Sequence, residues 1–505
     1  MDYAKLQNGS DIRGVAMEGI EGQNVNLTDE AVEAIGSAVV VYLSEKLKKE
    51  ASALRLSVGR DSRLSGERLY NAVARGITKM GASLTNFGLA STPSMFMSTV
   101  TGRCFDGAIM LTASHLPWNR NGIKLFTAQG GFEKSDIAAV LALAGKGGFT
   151  YAEKAGAIDT CDFLSDYAAG LCEIIKKGVN AEDYDHPLKG FHIVVDAGNG
   201  AGGFYAEKVL NVLGADTTGS QFLEPDGHFP NHQPNPEDKA AMDAAQACVL
   251  DNRADFGVIF DTDVDRAGAV SADGKELNRN VLIALISAIL LEEHPGTTIV
   301  TDSITSSGLA KFIAEKGGTH LRFKRGYRNV INESVRLNAL GQDSQLAIET
   351  SGHAALKENY FLDDGAYLVT KLIIKMAKLR KEGKTLMSLI DTLEEPKESC
   401  EVRMNIAADD FKAYGAAVLA DLDAYAKANG WAIAPDNHEG LRVAFPAENG
   451  DGWFLLRMSL HDPLMPLNIE SNSVGGVVTI AKQLLPFIEK QDRLVSDGLR
   501  KLAEA

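Results

Sequence analysis

Cysteine is scarce in this chain and follows no pattern. The 505 residues include five cysteines, an odd number, and no two have the C-x-x-C spacing of zinc and thiol-redox sites. A disulfide framework and a structural zinc site are therefore disfavoured, and reduced thiols are typical of a cytosol. We accordingly expect a cytoplasmic protein.

Long apolar runs are also missing. The most apolar segment, residues 281–291, is too short to cross a bilayer and has the composition of a core helix. The first six residues, M-D-Y-A-K-L, lack the apolar centre of a secretion signal. We therefore expect no membrane-spanning segment and no export.

Positive charge is in deficit. Lysine and arginine number 51 against 67 aspartate and glutamate residues, which leaves a net charge of −16. A field of this sign repels nucleic acids and anionic lipids, so neither is an expected partner. An anionic small-molecule substrate must then be bound by a local group of basic residues.

The chain is long enough for about three or four domains. Apolar strands alternate with helical segments over most of its length, which indicates parallel strands with crossover helices. A polar, glycine-rich stretch at 145–156, a break near residue 277 and a charged stretch with a proline at 394–401 mark the junctions. We predict an α/β protein of three mixed α/β sheet domains (1–152, 153–276 and 277–394) followed by a smaller α+β domain (395–505).

One polar loop follows the apolar run 107–111, which is predicted to be a buried strand. The loop reads T-A-S-H-L-P-W-N-R-N-G-I-K over residues 112–124 and puts Ser114 near its tip. Loops that leave the carboxyl ends of strands carry the chemistry of many α/β proteins. A serine beside a histidine in a loop is, taken alone, ordinary turn chemistry.

Three aspartates alternate after the apolar run 256–260. In extended backbone Asp261, Asp263 and Asp265 share one face, where like charges at contact distance repel by roughly 1 to 4 kcal/mol per pair. A cation removes this conflict, and hard oxygen ligands suit Mg²⁺. A calcium EF-hand also begins D-x-D-x-D, but Arg266 and Ala272 stand where it needs glycine and glutamate. The triplet therefore predicts a magnesium site.

A glycine-rich motif offers a competing interpretation. Gly198, Gly200 and Gly203 satisfy G-x-G-x-x-G, the dinucleotide fingerprint, which also needs an acidic residue about 20 positions on, at the end of the next strand. Asp216 comes too early, and Glu224 begins a loop with four prolines and two histidines. Tight strand-to-helix packing is therefore favoured over a dehydrogenase, and the proline-rich loop is interpreted as a rigid connector.

Taken together, four motifs resemble those of the α-D-phosphohexomutases, the family of phosphoglucomutase and phosphomannomutase. They are the serine loop at 112–124, D-T-D-V-D-R at 261–266, E-T-S-G-H at 349–353 and G-S-D-I-R-G at 9–14. They occur in the family's order and extend over nearly the whole chain. The resemblance implies an intramolecular phosphotransferase that interconverts hexose 1-phosphate and hexose 6-phosphate through a phosphoserine and a bound hexose bisphosphate.

The resemblance also implies a set of site residues. The catalytic residues would be the phosphorylated Ser114, Lys124 as acid and base, Arg266, His115 and Arg13. One Mg²⁺ per chain would be bound by Ser114, Asp261, Asp263 and Asp265, with hexose 1,6-bisphosphate as activator. The substrate would contact Glu349, Ser351, His353, Arg457, Ser459 and His461.

Several alternatives stay open at this point. Within the family, the chain is alternatively a phosphoglucosamine mutase or a hexose bisphosphate synthase, and outside enzymes it is a sugar-phosphate-binding protein with little turnover. The partners expected in each case are sugar phosphates, bound by a monomer or homodimer. The preferred sugar does not follow from the motifs.

The resemblance breaks near the C-terminus. The family's phosphate loop usually runs R-x-S-[GN]-T-[ET]-P, with an arginine five residues after the proline. Here Arg457, Ser459 and Pro463 match, but Leu460 and His461 replace a small polar pair and Asn468 replaces the arginine. A lost charge-assisted phosphate contact is worth roughly 1.5 to 3 kcal/mol. Our hypothesis is that His461, together with Arg457 and Arg328, binds the distal phosphate; the alternative is that the loop serves packing.

This hypothesis predicts a pH-dependent KM. A protonated imidazole attracts phosphate and a neutral one does not, so KM for glucose 1-phosphate should rise as pH increases through the pKa of His461. The measurement compares KM for glucose 1-phosphate and mannose 1-phosphate against pH in the parent protein and in His461→Ala. Identical profiles for the two proteins would remove His461 from the site.

Overall fold

The structure, a computed structural model, describes residues 1–459 and 462–505. The chain folds as two units, the first made of Met1–Leu282 with Ser351–Ser388 and the second of Ile283–Thr350 with Leu389–Ala505. In the described part of the chain, no helix is both long and apolar enough to span a membrane. All five cysteines are free thiols.

The first unit begins with a mixed sheet covered by helices. Its elements are β1 (Gln7–Asn8), β2 (Asp11–Val15), α1 (Asp29–Leu47), β3 (Arg55–Arg60), α2 (Gly66–Lys79), β4 (Ser83–Leu89), α3 (Thr92–Val100), β5 (Gly107–Leu111), β6 (Arg120–Thr127), β7 (Gly130–Gly131), α4 (Lys134–Lys146), β8 (Ile158–Thr160) and α5 (Phe163–Val179). The strand order is β1-β2-β6-β5-β3-β4-β8, with β7 beside β6. Strands β5, β3, β4 and β8 are parallel, so the loops after β3 and β5 leave the same edge.

A second sheet in the first unit carries the aspartate triplet. Its elements are β9 (Ile193–Asp196), α6 (Lys239–Asn252), β10 (Phe256–Phe260), β11 (Ala267–Ser271) and β12 (Glu276–Leu277), in the order β12-β11-β10-β9. The unit is completed by β16 (Ala354–Leu356), β17 (Leu362–Asp363) and α10 (Gly365–Lys381). The predicted buried strands before Ser114 and before Asp261 are confirmed as β5 and β10.

The second unit has a parallel and an antiparallel part. The boundary falls within α7 (Arg279–Glu293), after which come β13 (Thr298–Asp302), α8 (Ser307–Glu315), β14 (Thr319–Phe323), α9 (Tyr327–Ala339) and β15 (Ser344–Ile348). Strands β14 and β15 each pair in parallel with β13. The antiparallel part contains β18 (Glu398–Asn405), α11 (Phe411–Ala428), β19 (Ala432–Ile433), β20 (Leu441–Phe445), β21 (Gly452–Leu456), β22 (Leu464–Ser471), α12 (Gly476–Ile488) and α13 (Asp497–Glu504). The expected α/β fold with an α+β part at its C-terminal end is confirmed.

The glycine-rich motif packs against the aspartate loop. A Cβ atom on Gly200 would lie 2.7 Å from the carbonyl oxygen and 2.8 Å from the Cα atom of Thr262, so only glycine fits there. The amide of Ala201 donates to the same carbonyl oxygen at 2.8 Å. The motif therefore has a packing role, although Gly200 packs against the loop that holds Asp261 and Asp263 and not between a strand and a helix.

The proline-rich loop is anchored by one of its two histidines. His232 Nε2 lies 3.0 Å from Asp196 Oδ2, and its Nδ1 lies 3.0 Å from the carbonyl oxygen of Gln233. Both ring nitrogens thus face acceptors, an arrangement that suits the imidazolium. Burial lowers the pKa of His232, but the hydrogen bond and charge of Asp196 outweigh burial and raise the pKa above its usual value. The rigid-connector interpretation agrees with this anchor.

The anchor predicts a pH-dependent contribution to stability. Because the folded-state pKa is raised, the contribution is fully present below the unfolded pKa of about 6.5 and is lost as pH rises through the folded value. We expect His232→Asn to lower the free energy of unfolding by about 1.5–3 kcal/mol at pH 6 and by less at pH 9. Thermal unfolding at both pH values measures the difference. The control is His228→Asn, which removes the exposed histidine of the same loop; equal effects for both variants would contradict the prediction.

Candidate active site

Ser114 lies in the loop that leaves the carboxyl end of β5. Its main chain has a φ of 52°, a left-handed conformation that is uncommon for a residue with a side chain. Its amide donates to Thr112 Oγ1 at 2.9 Å. Its Oγ donates to Asp261 Oδ2 at 3.2 Å and accepts from Arg266 Nη2 at 3.1 Å. The serine hydroxyl is therefore held between an acid and a guanidinium.

The three aspartates after β10 converge as the alternation predicts. They are buried, and one oxygen of each lies within 4.8 Å of the others. Burial and the charges of Asp265 and Asp263 raise the pKa of Asp261 well above its usual range. Burial acts in the same direction on Asp265, but the charges of Lys124 and His353 outweigh it and lower the pKa of Asp265. The cluster thus concentrates negative charge that needs compensation.

The donor set of this cluster fits a divalent cation. The Oδ1 atoms of Asp263 and Asp265 are buried and have no hydrogen-bond partner among residues 1–459 and 462–505. An unsatisfied buried carboxylate oxygen is costly, and binding to a metal ion removes that cost. Carboxylate oxygens of Asp261, Asp263 and Asp265 can therefore hold a hard cation.

Lys124 belongs to the same cluster and is not a surface lysine. It projects from β6, and its Nζ donates to Asp263 Oδ2 at 2.9 Å and to Asp265 Oδ2. Its side chain is 5% exposed. Asp263 and Asp265 thus each give one oxygen to this ammonium group and keep the other for a further ligand.

Arg266 links the serine to the aspartates. Its Nε donates to Asp261 Oδ2 at 3.1 Å, its Nη2 donates to Ser114 Oγ, and its Nη1 donates to Asn235 Oδ1 at 3.1 Å. Burial lowers the pKa of Arg266, but the charges of Asp261 and Asp265 raise it above its ordinary value. The guanidinium is therefore a fixed positive charge at the serine oxygen.

His115 is a neutral neighbour of the serine. Its Nδ1 accepts from Arg266 Nη2 at 2.7 Å, and its carbonyl oxygen accepts from Gln233 Nε2. Burial and the charges of Arg266 and Arg13 lower the pKa of His115 to about 2. Because Nδ1 is an acceptor, the ring proton is on Nε2.

His353 and Arg13 add positive charge near the aspartates and His115. His353 Nδ1 pairs with Asp363. Burial lowers the pKa of His353, but the charges of Asp363 and Asp265 outweigh burial and raise it to about 9. Arg13 Nη2 forms an ion pair with Asp11 at 2.8 Å. The predicted catalytic residues of the first unit therefore share one electrostatic environment.

The predicted sugar loop is divided between the two units. Glu349 lies in the second unit, where its Oε1 accepts from the amide of Gly326 at 2.7 Å. Ser351 and His353 lie in the first unit. The buried Oγ of Ser351 has no hydrogen-bond partner in the part of the chain that the structure describes. A polar atom of this kind is suited to bind a ligand.

The predicted phosphate loop lies in the second unit after β21. Arg457 is buried, and its Nη1 lies 3.7 Å from Glu439 Oε1. Ser459 Oγ accepts from the amide of Asp462 at 3.2 Å. His461 lies outside the described residues, so its predicted role stays a hypothesis.

Three polar residues of the site were missed by sequence reasoning. Thr92, the first residue of α3, donates its hydroxyl to Asp263 Oδ2 at 2.5 Å and its amide to the Asp263 carbonyl oxygen at 2.8 Å. Asp363 pairs with His353, and Asn235 contacts Arg266. A polar residue at the start of a helix, such as Thr92, is a sequence signal from which such a contact could have been predicted.

Models of known protein families match three parts of the chain. Alpha/beta/alpha domains I, II and III of phosphoglucomutase/phosphomannomutase match residues 4–147, 169–274 and 278–396. The three matches follow one another in the order of the domain numbers.

Individual proteins match over almost the full length. The chain is 30% identical over 486 residues to a phosphoglucomutase of Neisseria gonorrhoeae, covering 96% of this chain and 97% of that protein. It is 29% identical over 423 residues to a phosphomannomutase/phosphoglucomutase of Pseudomonas putida, covering 83% and 84% of the two proteins. A crystal structure of a phosphoglucomutase/phosphomannomutase family protein of Burkholderia thailandensis superposes with a TM-score of 0.76 at 26% identity, covering 96% of each chain.

The contacts of Asp263 predict a defect in turnover. Asp263→Asn removes the negative charge of a carboxylate that contacts Lys124 through Oδ2 and leaves Oδ1 for a cation. We expect the mutase kcat to fall on the order of a hundredfold or more, with KM for glucose 1-phosphate changed less than about threefold. Steady-state kinetics at saturating Mg²⁺ measures both, with the exposed Asp273→Asn as control. A pure rise in KM would instead make Asp263 a structural residue.

Proposed function

Because this chain belongs to the α-D-phosphohexomutase family, and is thus an isomerase that acts on hexose phosphates, we propose that it works through a phosphoserine at Ser114. The reaction interconverts the 1-phosphate and the 6-phosphate of a hexose. The phosphoryl group passes from the enzyme to the substrate, and the bisphosphate returns the other phosphoryl group after it has reoriented.

The observation that carries the proposal is the position of Ser114 Oγ. It contacts both the Arg266 guanidinium and Asp261, a member of the aspartate cluster that fits a divalent cation. Phosphoryl transfer depends mostly on positioning and on neutralising charge around the transferred group. A serine held between these groups can carry a phosphate with charge of about −1.5 to −2.

Asp261, Asp263 and Asp265 would hold Mg²⁺ together with an oxygen of the phosphorylated serine. When bound, the ion supplies positive charge to the phosphoryl group. Arg266 stabilises the charge that develops on Ser114 Oγ when the bond from phosphorus to that oxygen breaks. The neutral His115 can donate from Nε2, since its Nδ1 is occupied by Arg266.

Lys124 handles the protons of the transfer. As the sugar oxygen bonds to phosphorus, its hydroxyl proton must leave, and the serine oxygen must be protonated after release. Lys124 is bound to two members of the triplet whose third member contacts Ser114 Oγ, so its ammonium belongs to the same charge cluster. The ammonium can give a proton to the serine oxygen as phosphorus leaves it, and the resulting neutral amine can accept the proton of the sugar hydroxyl, so Lys124 ends the transfer in its starting state.

The remaining predicted residues recognise the substrate. Glu349, Ser351 and His353 would bind the sugar hydroxyls and the transferred phosphate, supported by the partnerless Oγ of Ser351 in the described chain and by the positive charge of His353. Arg457 and Ser459 would bind the distal phosphate. We also propose hexose 1,6-bisphosphate as activator, a cytoplasmic monomer or homodimer, and domain limits at 152, 276 and 394.

This mechanism predicts that Ser114 carries phosphate in the active protein. Intact mass should fall by one phosphate per chain on phosphatase treatment of the parent protein and stay unchanged for Ser114→Ala. We expect Ser114→Ala to lose at least about 10³-fold in kcat with glucose 1-phosphate, because the covalent carrier is missing. Ser165→Ala, which alters a serine at the start of α5, should match the parent. Full mutase activity of Ser114→Ala would show that the mechanism is wrong.

A further inference from the structure

Two arginines lie close together at the end of β3, Arg60 as its last residue and Arg63 in the segment that follows, but they have different surroundings. Arg60 reaches the surface and pairs with Glu67, whose side chain is 66% exposed. The side chain of Arg63 is 0% exposed. From the sequence alone, a structural or indirect role for the segment 59–63 is favoured over a solvated turn, and the two arginines are not distinguished.

The buried Arg63 guanidinium binds the main chain of the serine loop. Its Nη1 donates to the carbonyl oxygens of Pro117 at 2.8 Å and Arg120 at 2.9 Å. Its Nη2 donates to those of Ser114 and Leu116, both at 2.5 Å. One side chain therefore binds four carbonyl groups of the segment 114–120.

We propose that Arg63 is a positioning residue that holds the Ser114 loop in its phosphoryl-carrying conformation. This inference rests on the proposed function, because it concerns the same serine. A left-handed residue other than glycine persists only where its surroundings hold it, and Arg63 binds the carbonyl oxygen of the strained residue itself. Without that contact the Ser114 hydroxyl loses its fixed place beside Asp261 and Arg266.

The contacts with Arg63 also neutralise the negative ends of carbonyl dipoles in the loop. Carbonyl oxygens repel a phosphate dianion, and each oxygen bound to Arg63 directs its negative end toward a cation. The carbonyl oxygen of His115, between two of these groups, accepts from Gln233 Nε2. The loop can therefore carry a phosphorylated serine with these five carbonyl groups satisfied.

Arg63 is itself fixed from two sides. Its amide donates to Asp61 Oδ1 at 2.9 Å, and its Nε lies 3.4 Å from Asp61 Oδ2. Its guanidinium carbon lies 5.3 Å from the ring centroid of Phe229, which belongs to the proline-rich loop. A planar fork held in this way can bind several carbonyl groups, whereas the compact ammonium of a lysine cannot span them.

The test compares Arg63→Lys with the matched control Arg60→Lys. We expect Arg63→Lys to lower kcat for glucose 1-phosphate about a hundredfold, with KM changed less than about threefold, because misplacement of about 1 Å has this effect on turnover. Amide hydrogen exchange should become faster in residues 112–120 and stay at parental rates elsewhere. Arg60→Lys should match the parent in both measurements.

Two results with folded Arg63→Lys would contradict the inference. Parental kcat in Arg63→Lys overturns it, as does faster exchange across the whole first unit, which would mark a general structural role.

If Arg63→Lys is obtained only unfolded, Asp61→Asn decides, since it removes the counter-charge of Arg63 and keeps the shape of the side chain. Then we expect at least a tenfold loss of kcat with faster exchange confined to 112–120, and parental values overturn the inference. An active Ser114→Ala instead rejects the phosphoserine mechanism itself.

Discussion

Repulsion among three buried aspartates is the constraint on which the rest of the site depends. At contact distance each pair of carboxylates repels by roughly 1 to 4 kcal/mol, which is a large cost for a marginally stable fold. This repulsion is offset by the positive charges of Lys124, Arg266 and a protonated His353. Because the Oδ1 atoms of Asp263 and Asp265 still lack a hydrogen-bond partner in the described chain, this compensation is incomplete without a cation. The cluster therefore carries a cost in stability that a bound cation would lower, and the proposed function uses the same cation at the phosphoryl group.

Compensation of this charge connects separate elements of the first unit. Lys124 comes from β6 and Thr92 from the start of α3, and both bind Asp263, which follows β10 in the other sheet. The serine from the β5 loop contacts Asp261. Folding the unit thus assembles the site, and the site's ion pairs in turn hold the two sheets in register with each other.

The parts of the site that could be predicted are those that sequence spacing controls. A short apolar strand fixes where its polar loop emerges, so the positions of Ser114 and Asp261 followed from the runs that became β5 and β10. Contacts to main-chain atoms leave no such pattern. Arg60 and Arg63 look alike in the sequence, yet one pairs at the surface and the other binds carbonyl groups of a loop more than 50 residues away. Sequence spacing also could not show that Gly200 is required because the main chain of Thr262 lies against it.

The divergence of the C-terminal loop can be understood from where it occurs. Asn468 lies on β22 opposite Glu401, and its Nδ2 donates to Glu401 Oε2 at 3.2 Å. An amide here satisfies one carboxylate oxygen but brings no positive charge, so under the proposed function the binding of the distal phosphate depends on Arg457 and Ser459. The charge-compensated cluster lies wholly in the first unit. Under the proposed function, substitutions near Arg457 would therefore alter the binding of the sugar phosphate and leave the ion pairs around Ser114 unchanged.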